Sequence, residues 1–237
     1  VNLTVVSLTA RVLLGRRRGL FLLILPVILV LLAAGVRAVA GVNAEVATTF
    51  LATFAIGTVV PLLGLIIGTG VIGPEIDDGS IVYLLAKPVR RSTIVVSKLA
   101  VAVGCVVVFA EIPVFVAGLI LAGTHGGLAV GYSIGALLAG IAYCALFLLL
   151  AILTKHAVVV GLLYALIWES LVGNFISGAQ VLSIQRWALS VTDLVTGSGG
   201  PSVVAPAAGI PLLVVAVVAT TWYAGQRLRS LTLNESE

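Results

Sequence analysis

Apolar residues in this chain run in six long blocks, at about 20–38, 47–72, 94–121, 131–153, 157–176 and 205–224. A helix needs about 20 apolar residues to cross the hydrocarbon core of a bilayer, so the blocks predict six transmembrane helices. The runs are continuous, which excludes a membrane β-barrel, whose strands alternate. Between and beside them lie four more polar stretches: 1–19, 73–93, 177–204 and 225–237. The predicted fold is all-α, a single integral membrane domain over 1–237.

Composition agrees with the pattern. The 237 residues are 61% hydrophobic and 9% charged, with a mean hydropathy of +1.27, where soluble domains carry roughly 25% charged residues. The net charge of +4 is not a nucleic-acid signal, because the basic residues collect at the ends of apolar blocks. They set orientation instead. With a cytoplasmic N-terminus, the inner segments hold Arg11, Arg16, Arg17, Arg18, Lys87, Arg90, Arg91, Lys98, Lys155, Arg227 and Arg229, and the outer ones only Arg37 and Arg186. Both termini and the 73–93 loop are therefore expected inside. The absence of Met and the Val at position 1 fit a high-GC bacterial gene with a GTG start, hence a bacterial cytoplasmic membrane.

The N-terminal stretch has two open readings. Apolar residues at helical spacing over 2–14 suit a helix lying in the inner interface, and a frayed tail is the alternative. Arg16–Arg18 followed by an apolar core and Ala38-Val39-Ala40 also has the form of a cleavable signal peptide, a reading that would leave five spans.

The most informative island is 73–93. It cannot lie in hydrocarbon, and it is well formed for a short helix. Asp77 and Asp78 stand at the expected start, where the helix dipole favours anions, and Lys87 at the end. Pro88 stops it, and Ser92-Thr93 can cap the next span. Ile81, Leu84 and Leu85 offer an apolar face with Tyr83 beside it.

Glu75, Gly79-Ser80, Leu84-Leu85, Pro88, Arg91 and Lys98 fall at the spacing Glu-x-x-x-Gly-Thr … Leu-Leu … Pro-x-x-Arg … Lys. This resembles the ABC type-2 permease family, with Ser80 in place of the commoner Thr. Tyr164-Ala-Leu-Ile-Trp168-Glu169-Ser170 and Leu182-Ser183-Ile184 look like the family's fifth span and following outer segment. The resemblance covers essentially the whole chain. It implies that 73–93 is a coupling helix docking on a separate ATPase subunit, through Glu75, Asp77, Asp78, Gly79, Ser80, Tyr83, Leu84, Leu85, Pro88, Arg90 and Arg91. It also implies two ATPase copies, a second permease copy or homologue, and short re-entrant or surface helices over 177–204.

No G-x-x-x-x-G-K-[ST] phosphate loop occurs, so the chain is expected to be no enzyme and to carry no cofactor, with ATP and Mg on the partner. Gly68-Thr-Gly70-Val-Ile-Gly73 matches a dinucleotide fingerprint but follows an apolar helix, not a strand, and fails on context. It is read as loosening the inner end of the second span. Gly64-x-x-x-Gly68 and Gly131-x-x-x-Gly135 put small residues on one helix face, for packing within the bundle or against a second copy. Pro26, Pro61 and Pro113 are expected to kink their spans.

Glu111 lies 13 residues past Lys98, and Glu169 lies 14 past Lys155, so each sits about 20 Å into the membrane at ~1.5 Å per residue. Intramembrane carboxylates are costly and face a cavity or a polar partner. Glu111, Glu169 and Trp168 are thus candidates for lining or gating an exit path, with the carboxylates bonding a neighbouring helix, Trp168 or a hydroxyl as the alternative. His125 and His156 read as solvated loop residues, and Cys105 and Cys144 fall inside apolar blocks without ligand spacing.

The functional expectation is the permease subunit of an ATP-driven exporter of a drug, lipid or other amphipathic molecule. The alternative is a membrane subunit that passes ATP-driven motion to an outer-face partner. Membrane lipid is an expected partner and nucleic acid is not.

Overall fold

The computed structural model describes residues 7–9, 13, 15–79, 91–123, 127–172, 179–197 and 204–230. Helices account for the regular structure among them, with no strand. They are α1 (Arg16–Ala40), α2 (Ala44–Ile76), α3 (Ser92–Ala122), α4 (Leu128–Leu153), α5 (Ala157–Glu169), α6 (Ile184–Thr196) and α7 (Pro206–Ser230). Five of these, α1, α2, α3, α4 and α7, are long and apolar enough to cross a membrane. Of the fifth expected span, 157–176, residues 157–172 are described and are helical throughout: α5 is apolar, and the π-helical stretch Tyr164–Val172 carries it past the buried carboxylate of Glu169. Of the expected inner N-terminal helix, residues 7–9 and 13 are helical, with Thr9 and Leu13 buried.

Helix α4 is the axis of the bundle. It packs against α2, α3, α5, α6 and α7, and small residues along it let each neighbour approach. Gly131 and Gly135 meet Thr192 and Thr196 of α6, and Gly140 meets Val106 of α3. From the other side, Gly64 and Gly68 of α2 fit against Tyr143, Cys144 and Phe147. A Cβ on Gly68 would stand 2.8 Å from the Cys144 carbonyl oxygen, closer than real contacts allow. Both G-x-x-x-G faces therefore pack inside the bundle. Gly70 in turn packs on buried Leu13, and the helix breaks at the Val71-Ile72 turn, inside the 68–73 stretch.

Two prolines leave a specific signature. Pro61 and Pro113 each stand two residues after the end of a π-helical stretch, Leu51–Val59 and Val107–Glu111. The Val60 N–H donates to the Ala55 carbonyl and the Ile112 N–H to the Val107 carbonyl, each five residues back. Proline supplies no N–H and its ring crowds the carbonyl four residues before it. Widening the preceding turn relieves that crowding while keeping the other bonds. Pro26 and Pro211 lie inside α1 and α7.

The segment after α5 folds back onto the bundle. In α6, Ile184, Trp187, Ala188 and Val191 are buried at helical spacing, and Leu194 and Val195 are exposed. Gly197 ends the helix in a left-handed turn, φ 63°, where glycine carries no Cβ penalty. This matches the amphipathic helix expected within 177–204.

Candidate functional site

Two polar clusters occupy opposite ends of the bundle. The first stands at the root of the charged loop. Lys98, on the second turn of α3, is fully buried, and its Nζ donates to Glu75 Oε1 at 2.7 Å and to the Val71 carbonyl at 2.5 Å. Glu75 is about a fifth exposed. It belongs to the short helix Gly73–Asp77, which resumes after the Val71-Ile72 turn with Pro74 in its first turn. The turn frees the Val71 carbonyl from the helical ladder, and the ammonium takes it up. Such a charge is tolerable at 0% exposure because its donors meet a carboxylate and a carbonyl.

The pair ties the end of α2 to the start of α3, so it closes the loop between them at its base. Asp77 is the last residue of the short helix and Asp78 follows it, exposed. Gly79 then turns in the left-handed region, φ 67°. Ser80, Tyr83, Leu84, Leu85, Pro88 and Arg90 lie outside the described residues, as does the coupling helix expected there. Arg91 opens α3.

The second cluster surrounds Glu169, which is 1% exposed. Ser183 Oγ donates to its Oε2 at 2.5 Å, the Ile184 N–H to its Oε1 at 3.1 Å, and Tyr164 Oη to Oε1 at 3.4 Å. Ser183 is the N-cap of α6 and also accepts from the Arg186 N–H. The first turn of α6 has no acidic residue of its own. Glu169 supplies that charge from α5, where the helix dipole and an orphan N–H both favour an anion.

Further bonds bind α6 around this point. Gln185 Nε2 donates to the Ala52 carbonyl of α2 at 3.3 Å, inside the π-helical stretch. Thr192 Oγ1 reaches the Gly131 carbonyl of α4 at 3.3 Å. Trp187 Nε1 donates to the Val181 carbonyl at 2.7 Å. Tyr143 stacks on Phe147 at 6.0 Å, and Phe147 meets Tyr164 edge-on at 6.1 Å. An aromatic row therefore leads from the core of α4 to the carboxylate.

Glu111 is placed otherwise. It closes the π-helical stretch of α3 and is half-buried, beside exposed Val108, Ile112 and Phe115. Among the described residues no hydrogen bond or ion pair reaches it. Trp168 is half-buried next to Glu169 on α5. The structure does not bring Glu111 and Glu169 together in one cluster.

Sequence reasoning reached Glu75 and Glu169 without their partners. Lys98 entered as a motif position and as one of the inner basic residues, although a lysine at the fifth position of the 94–121 apolar run signals a buried cation needing an acid. Ser183 could have been found as the polar residue just before an amphipathic helix that lacks an acid in its first turn. Gln185 gave no signal.

A family model described as ABC-2 family transporter protein matches residues 13–192. The match takes in both clusters, α1 through the greater part of α6, and the charged loop. No curated protein matches the chain.

Proposed function

The chain belongs to the ABC-2 transporter family, a family of membrane subunits, and on that premise we propose that it is the permease subunit of an ATP-driven exporter. In this reading it pairs with a second permease and borrows its energy from two separate ATPase subunits that bind ATP and Mg. Both termini and the 73–93 loop face the cytoplasm of a bacterial cell, as the eleven-to-two division of basic residues favours. Glu75, Asp77, Asp78, Gly79, Ser80, Tyr83, Leu84, Leu85, Pro88, Arg90 and Arg91 form the contact to the ATPase.

The observation that carries the proposal is the buried Lys98–Glu75 pair. A loop whose two roots are joined by an ion pair and a backbone bond cannot flex independently of α2 and α3. A push delivered to the loop is passed to both helices together. Differential docking in the two nucleotide states then shifts the equilibrium between arrangements of the bundle. Of the two membrane-depth carboxylates, Glu169 is engaged in holding α6, which leaves Glu111 as the group that lines the path. The cargo class is amphipathic: a drug, a lipid or a similar molecule.

The test is purification from native membranes, with a stoichiometric ATPase expected to accompany the chain. Arg91→Glu should then leave the complex assembled and hydrolysing ATP while transport falls. Reversing Glu75 alone would set two cations together, so the informative variant swaps the pair, Glu75→Lys with Lys98→Glu. Wild-type coupling in both the Arg91 variant and the swap overturns the proposal.

A further inference from the structure

The geometry points to a second site, a binding groove for an anionic phospholipid between α2, α4 and α5. A cavity of about 390 Å³ opens where the start of α5 leaves the α4–α5 turn, within the range of about 300–1,000 Å³ usual for small-ligand pockets. Leu65 and Ile66 of α2 and Val158 and Val159 of α5 give it an apolar floor and rim. Lys155 and His156 stand at its mouth, both exposed. Gly73 leaves it open on the α2 side, with nothing within 4 Å of where its side chain would be. The depth is kept by Gly161, which lets α5 close directly on Leu65 and Phe147.

Charge and polarity select the occupant. Val158 and Val159 are 56% and 57% exposed on a helix surrounded by apolar neighbours, so what covers them is hydrocarbon. One turn away, Lys155 is a cation for which no carboxylate lies in ion-pair range among the described residues, Glu75 being engaged by Lys98. An acyl chain along the valines with a phosphate at Lys155 and His156 satisfies both ends at once. A zwitterionic lipid would bring its own cation to the same place. Basic recesses between membrane helices at the polar boundary suit anionic headgroups for this reason. The site needs no assumption about the ATPase or the cargo and would stand if the transport reading failed.

The experiment is native mass spectrometry of the full-length chain released from detergent, titrated with phosphatidylglycerol and, separately, phosphatidylcholine. Tighter retention of the first phosphatidylglycerol is expected, about fivefold from one basic side chain at the surface. Lys155→Gln should abolish that preference and Lys155→Arg should keep it. Lys155 is exposed, so neither change threatens the fold. Val159→Trp fills the groove with the charges intact and should lower phosphatidylglycerol retention. An undiminished preference in Lys155→Gln overturns the proposal. So does unchanged retention in Val159→Trp, or displacement of the lipid by inorganic phosphate at equal concentration.

Discussion

Glu169 and Glu111 stand at matched positions along two helices, each in a π-helical stretch, yet their surroundings differ in kind. Glu169 is sealed from solvent and receives a hydroxyl, a backbone N–H and a phenol. Glu111 is half-buried on a face of α3 shared with exposed valine, isoleucine and phenylalanine. An intramembrane carboxylate with complete partners explains itself as structure. One without them among the described residues asks for another partner: water, cargo or a second copy. Depth alone therefore does not identify a pathway residue, and the partner set separates the two.

The largest expected effect tests the structural half of this contrast. Glu169→Leu leaves the Ser183 hydroxyl and the Ile184 N–H buried without an acceptor, at a cost of about 2–4 kcal/mol. Thermal unfolding in detergent should show a marked drop. Ser183→Ala removes the cap and one donor but leaves Ile184 bonded, so a loss of about 1–2 kcal/mol is expected. If Glu169→Leu unfolds at the wild-type temperature, the carboxylate is not holding α6 and the contrast collapses.

Next in size is Lys98→Met, which extends the comparison to the opposite end. It leaves Glu75 and the Val71 carbonyl without their shared cation. Glu75 is partly exposed and can turn to water, so the loss is smaller, about 2 kcal/mol, than for a fully sealed pair. The loop base should loosen as well, read as faster hydrogen exchange over 73–79 and at the start of α3. Exchange at wild-type rates would mean that the pair does not fasten the loop.

Much of this architecture is legible from the residues because the strongest signals are local. Runs of apolar residues give the long helices, and Gly131, Gly135, Gly64 and Gly68 give close-packed faces. Whether those faces met inside the bundle or across two copies was left open by spacing, since a small residue is silent about its neighbour. The prolines announced irregularity at Pro61 and Pro113. The form it takes, a π-helical turn just upstream, follows from where the missing N–H would have bonded. The ion pair and the capped carboxylate were harder. Lys98 and Glu75 are 23 residues apart, and Glu169 and Ser183 are 14 apart, so only the folded chain places them together. The short helix Gly73–Asp77 has local signals of its own: Pro74 stands in its first turn, where proline is favoured, and the left-handed Gly79 follows its end.

The smallest expected effect on stability is the one that carries most about function. Glu111→Gln keeps the volume and removes only the charge, and no group among the described residues depends on that charge. Unfolding should move by less than about 0.5 kcal/mol, as for substitutions away from buried networks. Glu169→Gln, by contrast, should lower stability, because an amide is a weaker acceptor for the α6 N-terminus than a carboxylate. If Glu111 lines the path, its amide variant should change transport at unchanged ATPase activity and unchanged thermal stability. Unaltered transport would remove Glu111 from the path. A fall in stability comparable to that of Glu169→Gln would instead show that Glu111 is held by a partner, and the contrast between the two carboxylates would then lie in which partner holds each one.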